Sequence, residues 1–160
     1  HPSRHLPETW QGTALDVLAV GDCPAKDRLW AVLHDGWIDN RTLRLFAVWC
    51  TRRLLRCMPA AGECRRACDL AEGFAEGRVT LEEMSSAGRP LLWRHEYAAR
   101  AAYAATWTAA WGAAYEAART ARLVLGAEEA DAQVAQLRGM LEIEAAAGKA
   151  WAIQALPIVI

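Results

Sequence analysis

The stretch from Asp39 to Cys57 reads DNRTLRLFAVWCTRRLLRC. Leu43, Phe46, Ala47, Cys50, Leu54 and Cys57 recur at steps of three, four and seven, the spacing of one helix face. Asp39 stands where an N-cap belongs, and Pro59 closes the run after Met58. Arg41, Arg44, Arg52, Arg53 and Arg56 fill much of the remaining surface. The spacing predicts a helix to about Met58, apolar on one side and basic on the other.

The flanking sequence extends the same logic. Gly62 to Glu76 places Cys64, Ala67, Ala71, Phe74 and Ala75 inward, with Gly77 as its stop. Thr80-Leu81-Glu82-Glu83 is a capping box that starts a short helix ending near Gly88. Pro90 to Leu125 reads as the longest helical stretch. On it Trp93, Tyr97, Ala104, Trp107, Trp111 and Tyr115 form one stripe, and Gly112 marks a kink or a close approach. Gly126 ends it. Glu128, Glu129 and Asp131 then favour the start of a further helix, which carries Val134, Leu137, Leu141 and Ile143 and ends near Gly148. Upstream, Thr13 to Val20 predicts one or two turns, and Asp22-Cys23-Pro24 opens a helix through about His34. Residues 1–12 read as a loose arm. Residues 149–160 read as an apolar tail, either docked on the bundle or belonging to an interface.

Composition agrees with an all-α reading. Of 160 residues, 54% are hydrophobic and about a fifth are Ala, the best helix former. Eight Trp stand against two Phe, so large rings must fill the gaps that Ala faces leave. The expected architecture is a single domain over residues 1–160, a compact bundle of about five to seven helices with Trp/Tyr packing. The net charge of -1 argues against a chain whose main task is coating nucleic acid or an anionic membrane. No apolar run approaches the roughly 20 residues of a membrane span. The five cysteines are an odd number with no small disulfide framework, which favours reduced thiols and a cytoplasmic setting.

Candidate chemistry is sparse. Cys50 and Cys57 share one helix face, and Cys64 and Cys68 share another. If the helices pair, the four thiolates could meet a tetrahedral zinc, but without a CxxC knuckle the thiols read better as small core hydrophobes, and no cofactor is expected. His95-Glu96 begins like a metalloprotease motif, but Ala99 stands where the second His belongs. Ser85 and Ser86 lack an elbow motif, and no phosphate-cradling glycine loop is present. No catalytic residue can be named, so an enzyme is not expected. Two binding surfaces remain. One is the basic face of Arg44, Arg52, Arg53 and Arg56 with Trp49, suited to an acidic protein partner; its competitor is a solvated face balanced by Glu63, Asp69, Glu72 and Glu76. The other is a ligand pocket among Trp107, Trp111 and Tyr115, extended in one reading by Trp49 and the cysteines. Trp10, Trp37 and Trp151 fall outside the strongest helical patterns and are further candidates for exposed anchors.

The run Leu43 to Arg53 (LRLFAVWCTRR), the segment Arg65 to Gly77 (RRACDLAEGFAEG), and the capped and Ala-rich helices after them resemble a family of bacterial all-helical immunity proteins and related paralogues. Leu137-Arg138 is similar to a later segment of that family. The resemblance covers roughly Asp39 to Leu141, leaves out both ends of the chain, and carries no catalytic residues. It implies stoichiometric binding of a protein partner, such as a toxin, in bacterial defence or conflict. The alternatives are a small-ligand or metal sensor, and an oligomeric scaffold that self-associates through residues 149–160.

Overall fold

The computed structural model describes residues 11–34, 36–57, 62–94 and 96–149, together with the backbone of the strand Leu156–Pro157. The fold is all-α, as composition requires. Among the described residues are eight α-helices: α1 (Ala14–Leu18), α2 (Ala25–Val32), α3 (Asn40–Cys57), α4 (Gly62–Ala75), α5 (Leu81–Gly88), α6 (Tyr97–Ala105), α7 (Ala110–Leu125) and α8 (Glu129–Ala146). A 3-10 turn, Arg89–Leu91, follows α5. The residues group into two compact units, Asn40–Glu129 and the pair of segments His1–Asp39 and Ala130–Ile160.

In the Asn40–Glu129 unit, α3 is the central element and packs on α4, α6 and α7. Its Leu43, Phe46, Ala47, Cys50 and Leu54 are buried as the spacing predicts. Cys57 is not; it is exposed at the end of the helix, beyond the last core contact. The helices around α3 are walled with alanine. Ala98, Ala101, Ala102 and Ala105 of α6, and Ala113, Ala117 and Ala121 of α7, are buried. Small side chains let backbones approach, and Thr51 uses this: its Oγ1 donates to the Ala101 carbonyl of α6 at 3.2 Å and lies 2.9 Å from its own Ala47 carbonyl. Larger burial comes from Phe46, Leu54, Met84 and Leu91. Each contributes roughly 1.5–3 kcal/mol, against far less for an Ala methyl.

The long helix read from Pro90 to Leu125 is instead three elements, the 3-10 turn, α6 and α7. This supplies the eighth helix and breaks the aromatic stripe. The reason lies at Thr106–Ala109. Thr106 Oγ1 donates to the Tyr103 carbonyl at 2.7 Å, a local bond that competes with continued helix. The carbonyls left open there are taken by Arg44 of α3, whose Nη1 donates to Ala105 O (3.0 Å) and Trp107 O (2.8 Å) and Nη2 to Thr108 O (3.1 Å). A helix end needs donors for its last carbonyls, and a buried guanidinium provides them.

Turn chemistry matches the sequence elsewhere. The Thr80/Glu83 box is closed in both directions. Gly77 takes φ 74° after α4, and the Arg78 amide donates back to Gly73 O at 2.8 Å, the hydrogen bond of a left-handed helix stop. Gly88 is required for a different reason: a Cβ there would collide with Thr106 Oγ1 and stand 3.1 Å from the Tyr103 ring. Gly88→Ala is therefore expected to cost about 1–3 kcal/mol, the range for overpacking. Chemical denaturation measures it, and an unchanged midpoint would contradict the close contact.

In the other unit, α1 opens with a second capping box. Thr13 Oγ1 accepts from the Asp16 amide at 3.2 Å, and Asp16 accepts from the Thr13 amide at 2.7 Å. Arg28 of α2 donates to the Leu18 carbonyl at the end of α1 at 2.6 Å, so an arginine again closes a short helix. Strand β1 (Gln11–Gly12) pairs antiparallel with β2 (Leu156–Pro157), with Gly12 opposite Leu156. The end of the arm thus meets the tail in a two-residue ladder. Val134, Leu137 and Leu141 of α8 are buried, but Ile143 is 70% exposed, off the buried face. Trp10, His95 and Trp151 lie outside the described residues.

Candidate functional site

The arginines of α3 do not form one open basic face. Arg44 is 2% exposed, with its guanidinium 5.2 Å from the Phe74 ring centroid and its N–H groups committed to the three carbonyls above. Burial pulls its pKa down. Its assignment to a partner surface is corrected: position 44 lies on the inward side of α3, between Leu43 and Phe46, because the α6 end needs its donors.

Arg52 is spent on α4. Its Nη1 and Nη2 each lie 2.8 Å from a Glu72 oxygen, and Nη2 lies 2.9 Å from Asp69. The Arg52 hydrogen bond holds the Glu72 carboxyl below its ordinary range. Arg53 forks onto both oxygens of Glu129 at 2.8–3.0 Å, and the Glu129 side chain is only 2% exposed. The same guanidinium sits 5.0 Å above the Trp49 ring, which stacks on Phe46 at 6.2 Å. Arg56 is exposed at the helix end. The structure therefore brings Trp49, Arg53 and Glu129 into one half-buried assembly, and leaves Arg56 as the exposed residue of the set. The acidic side chains that balance Arg52 are Asp69 and Glu72, two of the four that the sequence offered.

The aromatic candidates separate. Trp107 lies in the α6–α7 connection, edge-on to Tyr103 at 5.9 Å and 80°. Trp111, at 39% exposure, and half-buried Tyr115 belong to α7. The broken helix removes the stripe that joined them to Trp93. Trp37 is half-buried.

The four thiols weighed as zinc ligands do not converge. Cys64 and Cys68 join the apolar cluster of Val48, Met84 and Leu91. Cys50 is buried where the charges of Glu129, Arg122 and Arg53 reach it, and Cys57 is exposed. Among the described residues no group of three or more His, Cys, Asp or Glu side chains could hold a metal ion. Burial pushes the Cys68 thiol up to about 12 and raises Cys50 well above its ordinary value. Both groups thus stay neutral and unreactive in the fold. Titration with a disulfide reagent is expected to show Cys57 fast, and Cys23, Cys50, Cys64 and Cys68 only on unfolding. Several fast thiols would contradict this burial. The pH sign follows from the raised folded pKa. The stability that neutral Cys68 contributes is whole below an unfolded thiol pKa of about 8.5, and is lost as pH rises toward about 12. Cys68→Ala should flatten that alkaline loss.

What the sequence did not single out is the exposed segment before α6. Trp93 is 83% exposed, the largest exposure among the described bulky apolar residues, and Leu92 beside it is 45% exposed. Arg94 Nη1 lies 3.1 Å from Glu63 of α4, which ties the segment to that helix. A signal was available in Leu91-Leu92-Trp93: three adjacent apolar residues cannot all share one helix face.

Comparison of the chain with protein-family models, with curated proteins and with solved structures gives no match. Among the described residues no helix is long and apolar enough to cross a membrane.

Proposed function

We propose that this chain is a protein-binding module that acts by stoichiometric occupation of a partner's surface rather than by chemistry. Its class is that of the bacterial immunity and defence-associated helical proteins that its α3–α4 sequence resembles. One observation carries the reading: the solvent-facing pair Leu92 and Trp93. Single exposed apolar residues are ordinary, but an exposed Trp with an apolar neighbour is the composition of a binding anchor. Covering such a ring at roughly 25 cal/mol per Å² supplies a large share of a protein–protein affinity.

The test is isolation from the native host of the tagged chain at its natural expression level. The captured partner is then purified and the complex reconstituted. The expected result is a single species whose mass is the sum of the two chains. Recovery of this chain alone, with no protein that rebinds it in purified form, would reject the reading.

A further inference from the structure

We propose that the groove between α4 and α5, with Trp93 at its edge, docks a basic segment of the partner protein carrying one bulky apolar side chain. This rests on the protein-binding reading above and names the surface and the chemistry that it selects.

The groove has a volume of about 490 Å³, room for a few side chains. Leu70 of α4, Ala87 of α5 and Pro90 are its apolar lining. Its charged lining is Glu63, Glu82 and Glu83 against a single arginine, Arg66. Glu82 and Arg66 make no ion pair among the described residues, and both are exposed. Glu83 is engaged in the α5 cap, where its carboxylate accepts from the Thr80 amide at 2.8 Å, so its negative charge is fixed in place. Trp93 belongs to the same surface by connectivity. Pro90 lines the groove, and Arg94 bonds to Glu63, which also lines it. Leu92 and Trp93 thus stand in the chain between Pro90, which lines the groove, and Arg94, which bonds to a lining residue.

Charge decides the occupant. The guanidinium groups that could have drawn an acidic partner, Arg52 and Arg53, are already matched to carboxylates of this chain. In the α4–α5 groove Glu63 is likewise matched, by Arg94, which leaves the charges of Glu82 and Glu83 against Arg66, an excess of one negative charge. An acidic segment would meet like charge there, which costs association rate and affinity together. A Lys- or Arg-bearing segment meets complementary charge, its apolar residue finds the half-buried Leu70 and Ala87 of the lining, and a guanidinium can lie over the exposed Trp93 face.

The experiment is selection of a random displayed peptide library against the intact protein, followed by titration of synthesised binders by fluorescence anisotropy. The expected binders have net positive charge and a bulky apolar residue, and weaken as salt is raised. Each should bind at least about tenfold more weakly to Trp93→Ala and to Glu82→Lys, as for a central anchor and a reversed contact charge. Arg56→Glu, on the exposed end of α3, should leave binding unchanged. Both altered groove side chains are exposed, and matching thermal unfolding curves will show that the variants are folded. Absence of enrichment, enrichment of acidic sequences, or binders indifferent to both groove substitutions would overturn the proposal. The two readings fail separately. A host complex that forms equally well with Trp93→Ala and Glu82→Lys rejects this surface and keeps the binding module. Groove-binding peptides with no host partner keep the surface and reject the module's stoichiometric role.

Discussion

Arg44→Ala is expected to lower folding stability by about 3–5 kcal/mol, read as a shift of the urea midpoint at unchanged slope. The magnitude follows from what the guanidinium holds. Three carbonyls, of Ala105, Trp107 and Thr108, lose their donor together. Each orphaned acceptor costs about 1–3 kcal/mol where water does not reach it. The vacated side-chain volume adds a cavity penalty. Against this stands the release of a buried cation from its desolvation cost, the cause of its lowered pKa. That release keeps the total from reaching the sum of the losses. Arg44→Lys should cost less than Arg44→Ala, because an ammonium can serve some of the carbonyls, but it lacks the planar fork that reaches all three. Arg44→Met fills space without donating, and should fall between them. A loss below about 1 kcal/mol for Arg44→Ala would mean that solvent or a rearranged connection supplies the missing donors.

The Arg44 case marks where sequence reading stops. Periodicity located α3, α4 and α5 because each carries an unambiguous apolar face and an end signal, such as Gly77 or the Thr80/Glu83 box. It could not divide Pro90–Leu125. Ala is compatible with any helical phase, and no glycine or proline punctuates Thr106–Ala109. The break is imposed from outside the segment, by a donor some sixty residues earlier in the chain. For the same reason arginine was read as surface. Charge type is visible in a sequence, but whether the charge is matched is a tertiary fact. Trp93 shows the converse error. Its helical phase relative to Tyr97 suggested an inward stripe, yet the phase has meaning only if one helix runs through both. The candidate surface was legible as residue types, Leu92, Trp93 and three glutamates. It was not legible as a place, because Glu63 and Glu82 meet only when α4 and α5 pack.

The Arg53–Glu129 pair should show an asymmetric double-mutant cycle. Glu129 is 2% exposed at its side chain while Arg53 is 34% exposed, so the two partners pay different penalties when separated. Arg53→Ala removes the bidentate donor from a carboxylate that cannot reach water. It is expected to cost about 2–4 kcal/mol, at and just below the low end of the roughly 3–5 kcal/mol for breaking a buried pair. Two features hold it there. The arginine's own exposure screens part of the interaction, and Arg122 lies near enough for the Glu129 charge to act on it. Glu129→Gln keeps the shape, removes the charge that needed matching, and lets Arg53 turn to solvent; about 1 kcal/mol is expected. In the double variant Arg53→Ala with Glu129→Gln, the neutral amide no longer requires a cation. The combined loss should therefore be smaller than the sum of the two single losses, by a coupling of about 1–3 kcal/mol. Equal single-variant losses that add without coupling would show that the carboxylate is satisfied independently of Arg53. The cation–π contact with Trp49 supplies an internal check. If the pair holds Arg53 over that ring, Glu129→Gln should shift Trp49 fluorescence, read in a variant in which Trp49 is the one indole kept, whereas Arg56→Ala, with a guanidinium exposed at the end of the same helix, should not.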